Sequence, residues 1–433
     1  MTLDELIPWL FDRTTNGIRW GLERTEELLA GVDDPHRLFS SVLIGGTNGK
    51  GSVAAFCDSA LRTEGGARIG LYTSPHLVDF SERIRIDGVP IADGELAEVA
   101  GMLRPAIERS GASFFEATTA MAFLAFARAG VELAVVEVGL GGRLDATNVL
   151  QPLVTGVTNI SREHEEYLGS DLSQIAREKA GIFRRGVPAL IGEPDPQIRE
   201  VLSSRALAIG ADPVILDDVS RATDLVTDAS GTSLRLESTA WGDRELSVPL
   251  PGLHQARNAR MAAELLAMLP HGSRPGWGAL ESGFARTRWP GRLQTVRVRG
   301  TTYLLDVAHN PAGAVALSEA LEKFDLPRPC ILVAAILADK DWRRMLAPLL
   351  ARCDAAILTE APSAPETRRW DPDEAARWSL EETGVAPRVV TELGAALRRA
   401  GTLAPHGTIV ITGSVHTVGD AMKALGIPSV PEP

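Results

Sequence analysis

Features that mark secreted, membrane or nucleic-acid-binding proteins are scarce in this sequence. Its three cysteines are scattered, so their spacing predicts neither a disulfide framework nor a metal site and suits a reducing compartment. No uncharged apolar run of about 18 residues occurs, so no membrane-spanning helix is predicted. Basic residues are outnumbered by acidic ones, 44 to 56, and the net charge of −12 argues against a nucleic-acid partner. The opening MTLDELIPWL is acidic where a secretion signal is basic, so we expect a cytoplasmic protein.

The first two thirds of the chain alternate short apolar runs with helical patterns. The runs that predict buried strands are SVLIG (41–45), ARIGLYT (67–73), ELAVVEV (132–138), LVTGVT (153–158) and VPALIG (187–192). Two of the segments between them, residues 52–65 and 115–130, predict helices. This alternation predicts a mostly parallel α/β sheet. Residues 232–250, around Trp241-Gly242-Asp243, predict a small antiparallel hairpin that decorates the sheet edge.

A second series begins after the turn-rich RTRWPGR (286–292). Residues 293–308 predict a strand pair, and four further apolar runs then alternate with helical stretches. A chain of 433 residues exceeds one typical domain. We therefore expect an α/β domain over residues 1–292 and a smaller Rossmann-like α/β domain over residues 293–433. The last segment, IPSVPEP, is expected to be a loose tail.

A glycine-rich turn follows the first predicted strand, in SVLIGGTNGKGSVAAF (41–56). Its backbone N–H groups and the start of the next helix can hold an anion, and Lys50 adds a full positive charge. The spelling departs from the usual phosphate loop, because Gly51 stands between Lys50 and Ser52. A plain strand-to-helix turn is the alternative, and the lysine among the glycines favours phosphate.

Polar residues also follow other predicted strands, where ligands of α/β sheets bind. Ser74 lies in TSPHL, and its hydroxyl could hold Mg²⁺, although a Ser-Pro turn is the simpler interpretation. Glu137 ends a strictly apolar strand, a position that is costly for a carboxylate unless it is paired or binds a metal. His164 follows a third strand, where a structural or surface role is the alternative. Lys179 lies on a predicted helix, where a solvated lysine is the usual outcome.

Eight motifs together resemble one family. They are GTNGKGS, TSPHL, EVGLGGRLDATN, HxxYLG, REKAGI, PGRLQ, DxAHNP and a terminal GSxxxVGD, in that family's order over nearly the whole chain. The family is folylpolyglutamate synthase / dihydrofolate synthase, within the Mur ligase superfamily. The glycine after the lysine is that family's normal spelling, so the loop is a variant phosphate loop.

The resemblance implies roles for the strand-end residues. Ser74, Glu137 and His164 match magnesium ligands, with two metal sites expected. Lys179 matches a lysine that carries CO₂ as a carbamate, an anionic oxygen ligand of the kind that Mg²⁺ prefers. A carbamate needs a neutral amine and hence a depressed lysine pKa. Glu163 stands beside His164 where many relatives have Asp.

The resemblance also implies the substrate contacts. The ATP-binding residues are Gly46, Thr47, Asn48, Gly49, Lys50, Gly51, Ser52, Asn258, Arg292 and Asp306. The pterin- or folate-binding residues are Phe115, Glu116, Thr118, Leu144, Asp145 and Ala146. The catalytic residues that the resemblance implies are Lys50, His164, Lys179 and His309. The segment WGLERTEELL near the N-terminus resembles a further substrate-contacting segment.

The implied reaction is ATP-dependent amide formation through an acyl phosphate, with glutamate as the attacking amine. The expected partners are these small molecules, with no nucleic acid, no membrane and a monomeric chain. Alternatives are a monofunctional folylpolyglutamate synthase, a cell-wall-precursor or cyanophycin-type ligase, and a nucleotide-binding protein without ligase activity. TSPHL and RLDATN favour the folate branch, with dihydropteroate, a folate or both as acceptor.

Overall fold

The strands of the computed structural model, which describes residues 3–13 and 20–430, form three sheets. The largest has eight strands in the order β4-β3-β2-β5-β1-β6-β7-β8. They are β1 (Ser40–Gly45), β2 (Ile69–Tyr72), β3 (Ile84–Ile86), β4 (Val89–Pro90), β5 (Leu133–Glu137), β6 (Val154–Val157), β7 (Pro188–Ile191) and β8 (Asp212–Ile215). Strands β2, β5, β1, β6, β7 and β8 pair in parallel, while β3 and β4 add an antiparallel edge. The five predicted strands and the mostly parallel sheet are therefore confirmed.

Helices cover both faces of this sheet, as its continuous apolar strands require. They are α1 (Leu3–Phe11), α2 (Glu23–Ala30), α3 (Lys50–Glu64), α4 (Asp93–Ser110), α5 (Phe114–Arg128), α6 (Glu165–Leu168), α7 (Leu172–Lys179), α8 (Pro196–Ile209), α9 (Leu216–Val219), α10 (Leu253–Ala267) and α11 (Trp277–Arg286). Successive residues of β1 contribute alternately to two hydrophobic cores. Leu43 belongs to a core that includes residues of α1, α2, α4, α5, α7 and α8, whereas Val42 and Ile44 belong to a core that includes residues of α3, α10 and α11.

The predicted hairpin is present, but its expected place at the edge of the large sheet is wrong. It forms a separate three-stranded antiparallel sheet of β9 (Ser220–Asp228), β10 (Gly231–Ser238) and β11 (Gly242–Val248). Alternate residues of the hairpin, among them Leu234, Leu236 and Leu246, enter the core beneath α10 and α11. This apolar face needs helices to cover it, which explains why the hairpin packs there.

The second sheet begins directly after the turn-rich junction. Its order is β12-β13-β17-β14-β15-β16, formed by β12 (Gln294–Val298), β13 (Thr301–Leu305), β14 (Cys330–Ala334), β15 (Ala355–Leu358), β16 (Arg388–Val389) and β17 (Thr408–Thr412). Its helices are α12 (Pro311–Lys323), α13 (Trp342–Leu350), α14 (Pro372–Thr383), α15 (Leu393–Leu403) and α16 (Val415–Leu425). The predicted strand pair is confirmed as the antiparallel β12–β13 hairpin, and the other pairs are parallel.

Contacts join the two units on either side of the junction. The end of the chain is one of them, because Ser429 is buried and its Oγ donates to Glu82 Oε1 at 2.5 Å. The expectation of a loose tail is therefore wrong for residues 427–430, while residues 431–433 lie outside the described part. A second contact joins α16 to the TSPHL segment, where Gly419 lies so close to Leu77 O that a Cβ would approach it to 1.9 Å. In the described residues, no helix has the length and apolar character needed to cross a membrane.

Candidate active site

The phosphate loop lies between β1 and α3 and has the backbone that its glycines permit. Gly46 and Gly49 have φ of 128° and 88°, which side chains disfavour. A Cβ on Gly46 would lie 1.9 Å from Thr158 Oγ1, so only glycine fits there. The Lys50 Nζ donates to the carbonyls of Gly46 and Thr47, both at 3.0 Å. The lysine therefore folds back over the loop, at the N-terminal end of α3 where an anion is favoured.

The other predicted loop residues are tied to neighbouring strands. Asn48 O accepts hydrogen bonds from Thr158 Oγ1 at 2.7 Å and from Asn159 Nδ2 at 2.8 Å. Ser52 is buried in the first turn of α3. The face of Gly51 is covered by Trp289 of the junction segment, since a Cβ there would lie 3.0 Å from the indole Nε1. These contacts fix the loop in one conformation.

Glu137 and Ser74 lie side by side at the ends of β5 and β2. The Ser74 backbone N–H donates to Glu137 Oε2 at 3.1 Å. Burial raises the pKa of Glu137, while Lys50 and the Ser74 hydrogen bond oppose that rise. A buried carboxylate with one protein donor and a hydroxyl-bearing neighbour is suited to a divalent cation, which would supply the missing positive charge.

Lys179 is buried, contrary to the usual outcome for a lysine on a helix. Its side chain is at the end of α7, and the residue is 1% exposed. The Nζ donates to Gly46 O at 2.8 Å and forms an ion pair with Glu163 Oε1 at 2.7 Å. Burial lowers the pKa of Lys179 and outweighs the attraction of Glu163, with the charge of Lys50 adding to the lowering. CO₂ addition requires a neutral amine, which a lowered lysine pKa favours.

His164 precedes α6 in a left-handed conformation, with φ of 47°. Burial lowers the pKa of His164 to about 4, with Lys340 of the second unit contributing to the lowering. The ring is therefore neutral near pH 7, the form in which histidine binds metals. The charges of Lys179 and Lys50 also act on this ring, which places all three in one neighbourhood.

The second unit brings its DxAHNP turn to the same place. Asn310 Nδ2 donates to Asn48 Oδ1 of the phosphate loop at 2.8 Å. Asp306 accepts from the backbone N–H groups of Leu293 and Ala308, both at 2.9 Å, so this carboxylate shapes the turn. Burial raises the pKa of Asp306, and Arg292 opposes the rise.

His309 is also buried in this turn. Its Nδ1 is 3.0 Å from Val307 O, and because a carbonyl only accepts, Nδ1 carries the proton and Nε2 is left as an acceptor. Burial lowers the pKa of His309 to about 4. Burial likewise lowers the pKa of Arg292, against the attraction of Asp306 and Glu137. Arg292 thus interacts electrostatically with a carboxylate of each unit, Glu137 in the first and Asp306 in the second.

Asn258 approaches the phosphate loop from α10. A Cβ on Gly49 would lie 2.4 Å from Asn258 Oδ1, and Asn258 Nδ2 donates to Gln255 Oε1 at 2.9 Å. The structure therefore brings this residue to the loop, where the family resemblance expected it.

The residues predicted to bind the pterin lie at the start of α5. Glu116 is buried, caps α5 by accepting the Ser113 N–H at 2.7 Å, and forms an ion pair with Arg24 at 2.9 Å. Arg24 belongs to the N-terminal segment WGLERTEELL. The buried Thr118 hydroxyl is 3.2 Å from the Tyr72 hydroxyl. Phe115 lies against Gly139, where a Cβ would meet its ring at 2.3 Å.

The second predicted pterin segment, RLDATN, is a rigid turn next to α5. Asp145 is buried and accepts from Leu140 N at 2.8 Å and from Thr147 N at 3.0 Å. Its neighbours Leu144 and Ala146 are half-buried and buried. Since both Asp145 oxygens already have donors, the carboxylate holds the turn in shape.

A small cavity of about 40 Å³ lies between the two units. Ser74 and Glu137 line it from the large sheet, and Arg292 and Val307 line it from the junction and the second unit. Among the described residues, no three His, Cys, Asp or Glu side chains converge in the way that a preformed metal site requires. That finding is compatible with the predicted ligands Ser74, Glu137, His164 and Lys179, because only two of these four are of the residue types considered.

Sequence reasoning missed three residues near this site. Glu163 was noted only as a departure from the family, yet it is the ion-pair partner of Lys179. Lys340 affects both His164 and His309 from the second unit. Arg83 lies buried close to the charge of Glu137. No spacing in the sequence indicates these contacts, since each joins residues from different parts of the chain.

A phosphate loop, buried strand-end acids and a facing second α/β unit define the class of Mur ligases. The Mur ligase middle domain family matches residues 44–266, and the Mur ligase glutamate ligase domain family matches residues 291–415. These matches, and curated relatives that align with most of the chain, show that the chain belongs to the dihydrofolate synthase/folylpolyglutamate synthase family of Mur ligases.

Several curated relatives carry that double name, among them two that are similar over nearly the whole chain. The Mycobacterium tuberculosis dihydrofolate synthase/folylpolyglutamate synthase is 37% identical over 94% of this chain and 90% of the relative. The Bacillus subtilis protein of the same name is 31% identical over 96% of this chain and 97% of the relative.

Three solved structures are similar along nearly their whole length. The M. tuberculosis folylpolyglutamate synthase complexed with ADP and AMPPCP has a TM-score of 0.87 and 37% identity, covering 94% of this chain and 96% of its own. The Escherichia coli FolC protein in complex with DHPP and ADP has a TM-score of 0.86 and 28% identity, covering 98% of both chains. A bifunctional folylpolyglutamate synthase/dihydrofolate synthase with Mn, AMPPNP and L-glutamate bound has a TM-score of 0.83 and 30% identity, covering 97% of this chain and 98% of its own.

Proposed function

We propose that the protein is an ATP-dependent carbon–nitrogen ligase that adds L-glutamate to dihydropteroate and to reduced folate (poly)glutamates, giving ADP and phosphate. The observation that carries the proposal is the meeting of the DxAHNP turn with the phosphate loop, where Asn310 donates to Asn48 at 2.8 Å. A ligase of this kind must bring a nucleotide held by one unit to an amino acid held by the other. Relatives with the double name support both acceptors.

In the proposed complex the chain holds ATP from both sides. The backbone of residues 46–52 surrounds the phosphates, and Lys50, which now bonds to loop carbonyls, turns to the outer phosphates. Asn258 contacts the nucleotide from α10, Arg292 from the junction and Asp306 from the second unit. His309, with its free Nε2, faces the phosphates or the incoming amine.

Four side chains would hold two divalent ions. Ser74 and Glu137 would hold one ion, and His164 and carbamylated Lys179 would hold the other. When bound, Mg²⁺ neutralises the charge that builds on the transferred phosphoryl group. Burial lowers the pKa of Lys179, and this direction favours the neutral amine that CO₂ needs.

The acceptor would lie along α5 and the RLDATN turn. Phe115 supplies an aromatic face, and Glu116 and Thr118 fix the start of α5 beneath it. Leu144, Asp145 and Ala146 form the facing turn. The acceptor carboxylate attacks the γ-phosphate to form an acyl phosphate, and the glutamate amine then displaces phosphate through a tetrahedral intermediate.

An acyl phosphate reacts with water, so the site must close during the reaction. We propose that residues 1–292 form the ATP- and acceptor-binding domain and residues 293–433 the glutamate-binding domain. The junction at 286–292 would act as the hinge. The protein would work as a monomer in the cytoplasm.

Phosphate release tests the proposal directly. With ATP, Mg²⁺, dihydropteroate and glutamate present, we expect release of phosphate that stops when either the pterin or the glutamate is omitted. ATP turnover that does not depend on a pterin would contradict the proposal. Mass spectrometry of products from dihydropteroate and from a reduced folate monoglutamate separates a bifunctional enzyme from a monofunctional folylpolyglutamate synthase.

A further inference from the structure

Arg83 is a buried cation that has no anionic partner in the protein. The residue is 6% exposed, and among the residues that the structure describes no carboxylate oxygen lies within 4.0 Å of its guanidinium. Arg260, 7% exposed on α10, shows the usual arrangement, because it is ion-paired with Asp217. An unpaired buried charge is costly, so a site that keeps one is prepared for an external anion.

The contacts of Arg83 fix its orientation and leave most of its donors free. Its Nε donates to His76 Nδ1 at 2.8 Å, so Nδ1 is an acceptor and His76 is neutral. The guanidinium lies 5.2 Å from the ring centre of Phe114 and 5.8 Å from that of Phe80. Within the described part of the chain, its two terminal nitrogens make no hydrogen bond, and neither is sealed from solvent. The four N–H groups on these nitrogens can therefore bind a planar anion in the bidentate manner.

The position of Arg83 is between the two halves of the proposed site. On one side its carbonyl accepts the Thr73 N–H at 3.0 Å, directly before Ser74, and the charge of Glu137 acts on the guanidinium. On the other side it lies near Tyr72, whose hydroxyl contacts Thr118 of the proposed pterin pocket. An acceptor bound along α5 would have its carboxylate between these two sides.

We propose that Arg83 binds the acceptor carboxylate, the group that ATP phosphorylates, and that His76 holds the guanidinium in place. This inference rests on the proposed function. One carboxylate oxygen forms the bond to the γ-phosphorus as ADP leaves, and Arg83 donates to the other oxygen. That contact reduces the repulsion between the two anions and, after amine attack, stabilises the negative oxygen of the tetrahedral intermediate until phosphate departs.

The test compares two ligands that differ only in charge. Dihydropteroate and its neutral carboxamide analogue are titrated into the ADP complex of the wild type, Arg83→Met and Arg83→Lys, with Arg260→Met as the matched buried-arginine control. We expect the wild type and Arg260→Met to bind the carboxylate about tenfold or more tightly than the carboxamide. In Arg83→Met the preference falls to about twofold or less, while carboxamide and ADP affinities stay within about twofold of wild type. Arg83→Lys, which keeps the charge but not the fork, retains an intermediate preference.

The outcomes separate this inference from the proposed function. If Arg83→Met retains the full preference for the carboxylate, the inference is wrong while the proposed function stands. If that variant instead loses ADP affinity with its preference intact, the guanidinium serves the nucleotide phosphates, which also overturns the inference. If the wild type binds neither pterin, the proposed function itself fails. Should Arg83→Met not fold, an Arg83→Lys variant with an unchanged preference would overturn the inference.

His76→Ala checks the positioning role of the histidine. We expect a reduced kcat with the acceptor KM raised less than in Arg83→Met, because the guanidinium remains but is no longer fixed. Equal losses in kcat and in affinity for the carboxamide would indicate a merely structural residue and contradict the positioning role.

Discussion

Two buried cations in the same unit are treated in opposite ways. Lys179 lies beneath the phosphate loop with a carboxylate partner, Glu163, at 2.7 Å. Arg83 lies at the acceptor side, where a neutral histidine and two aromatic rings surround it. The difference matches the chemistry of the two groups, because a lysine can lose its proton in the interior and an arginine cannot. In our proposals the first becomes an anionic metal ligand, whereas the second keeps its charge for a substrate.

Of the predicted effects, the loss of activity on removal of the Lys179 side chain should be the largest. We expect Lys179→Ala to reduce turnover by about a thousandfold or more, because the proposed carbamate ligand and the metal it holds are lost together. Added small carboxylates such as acetate should restore part of the activity by replacing the missing oxygen ligand. Steady-state phosphate release measures both effects, and wild-type turnover in the alanine variant would rule out the carbamate.

The charge of Glu137 acts on Arg83, and removal of Glu137 should separate metal binding from nucleotide binding. For Glu137→Ala we expect the half-saturating Mg²⁺ concentration to rise about tenfold or more, since a buried carboxylate ligand is lost. Binding of ADP without metal should change about threefold or less, because the loop backbone and Lys50 remain. Parallel magnesium and ADP titrations measure the two quantities, and an unchanged magnesium titration would exclude Glu137 as a ligand.

The Glu163→Gln substitution removes the anionic partner of Lys179, so that Lys179, like Arg83, has no carboxylate partner. We expect the free energy of unfolding of the ligand-free protein to fall by about 1–3 kcal/mol, because a buried donor loses its charged acceptor. Arg83→Met should change it by about 1 kcal/mol or less, since no ion pair is broken there. Urea unfolding of both variants gives the comparison, and equal losses would mean that the two cations do not differ in this way.

The pH dependence of stability offers a smaller and more specific test. Burial lowers the pKa of Lys179 in the folded state, so between that pKa and the unfolded value the unfolded chain binds more protons. Stability should therefore rise with pH through this alkaline interval. As the pH rises from neutrality toward the ordinary lysine pKa of about 10.4, we expect the wild type to gain more stability than Lys179→Met, measured by urea unfolding in CO₂-free buffer. Equal gains would show that Lys179 titrates normally.

Local patterns explain what the sequence predicts well. The strands near residues 41–45 and 132–138 are apolar runs, and the phosphate loop and Glu137 follow them directly along the chain. Their place at one sheet edge follows from parallel pairing alone. The eight family motifs then extend the prediction to Ser74, His164 and Lys179, which the structure brings to the neighbourhood of the loop.

Contacts between distant segments explain what the sequence does not predict. The hairpin of residues 232–250 is visible as a pattern, but its separate sheet depends on the helices that cover it. The Lys179–Glu163 pair joins two segments through a left-handed turn at His164, and a helical lysine gives no sign of burial. The sequence likewise does not predict that Arg83 lacks an anionic partner, because this depends on all the segments that pack around the side chain.

Anomalous diffraction from crystals grown with Mn²⁺, a non-hydrolysable ATP analogue and bicarbonate tests the shared metal site most directly. Two manganese peaks are expected beside the nucleotide phosphates, one touching Ser74 and Glu137 and the other touching His164 and a carbamylated Lys179. Peaks that contact none of these four side chains, with Lys179 still paired to Glu163, would contradict the mechanism.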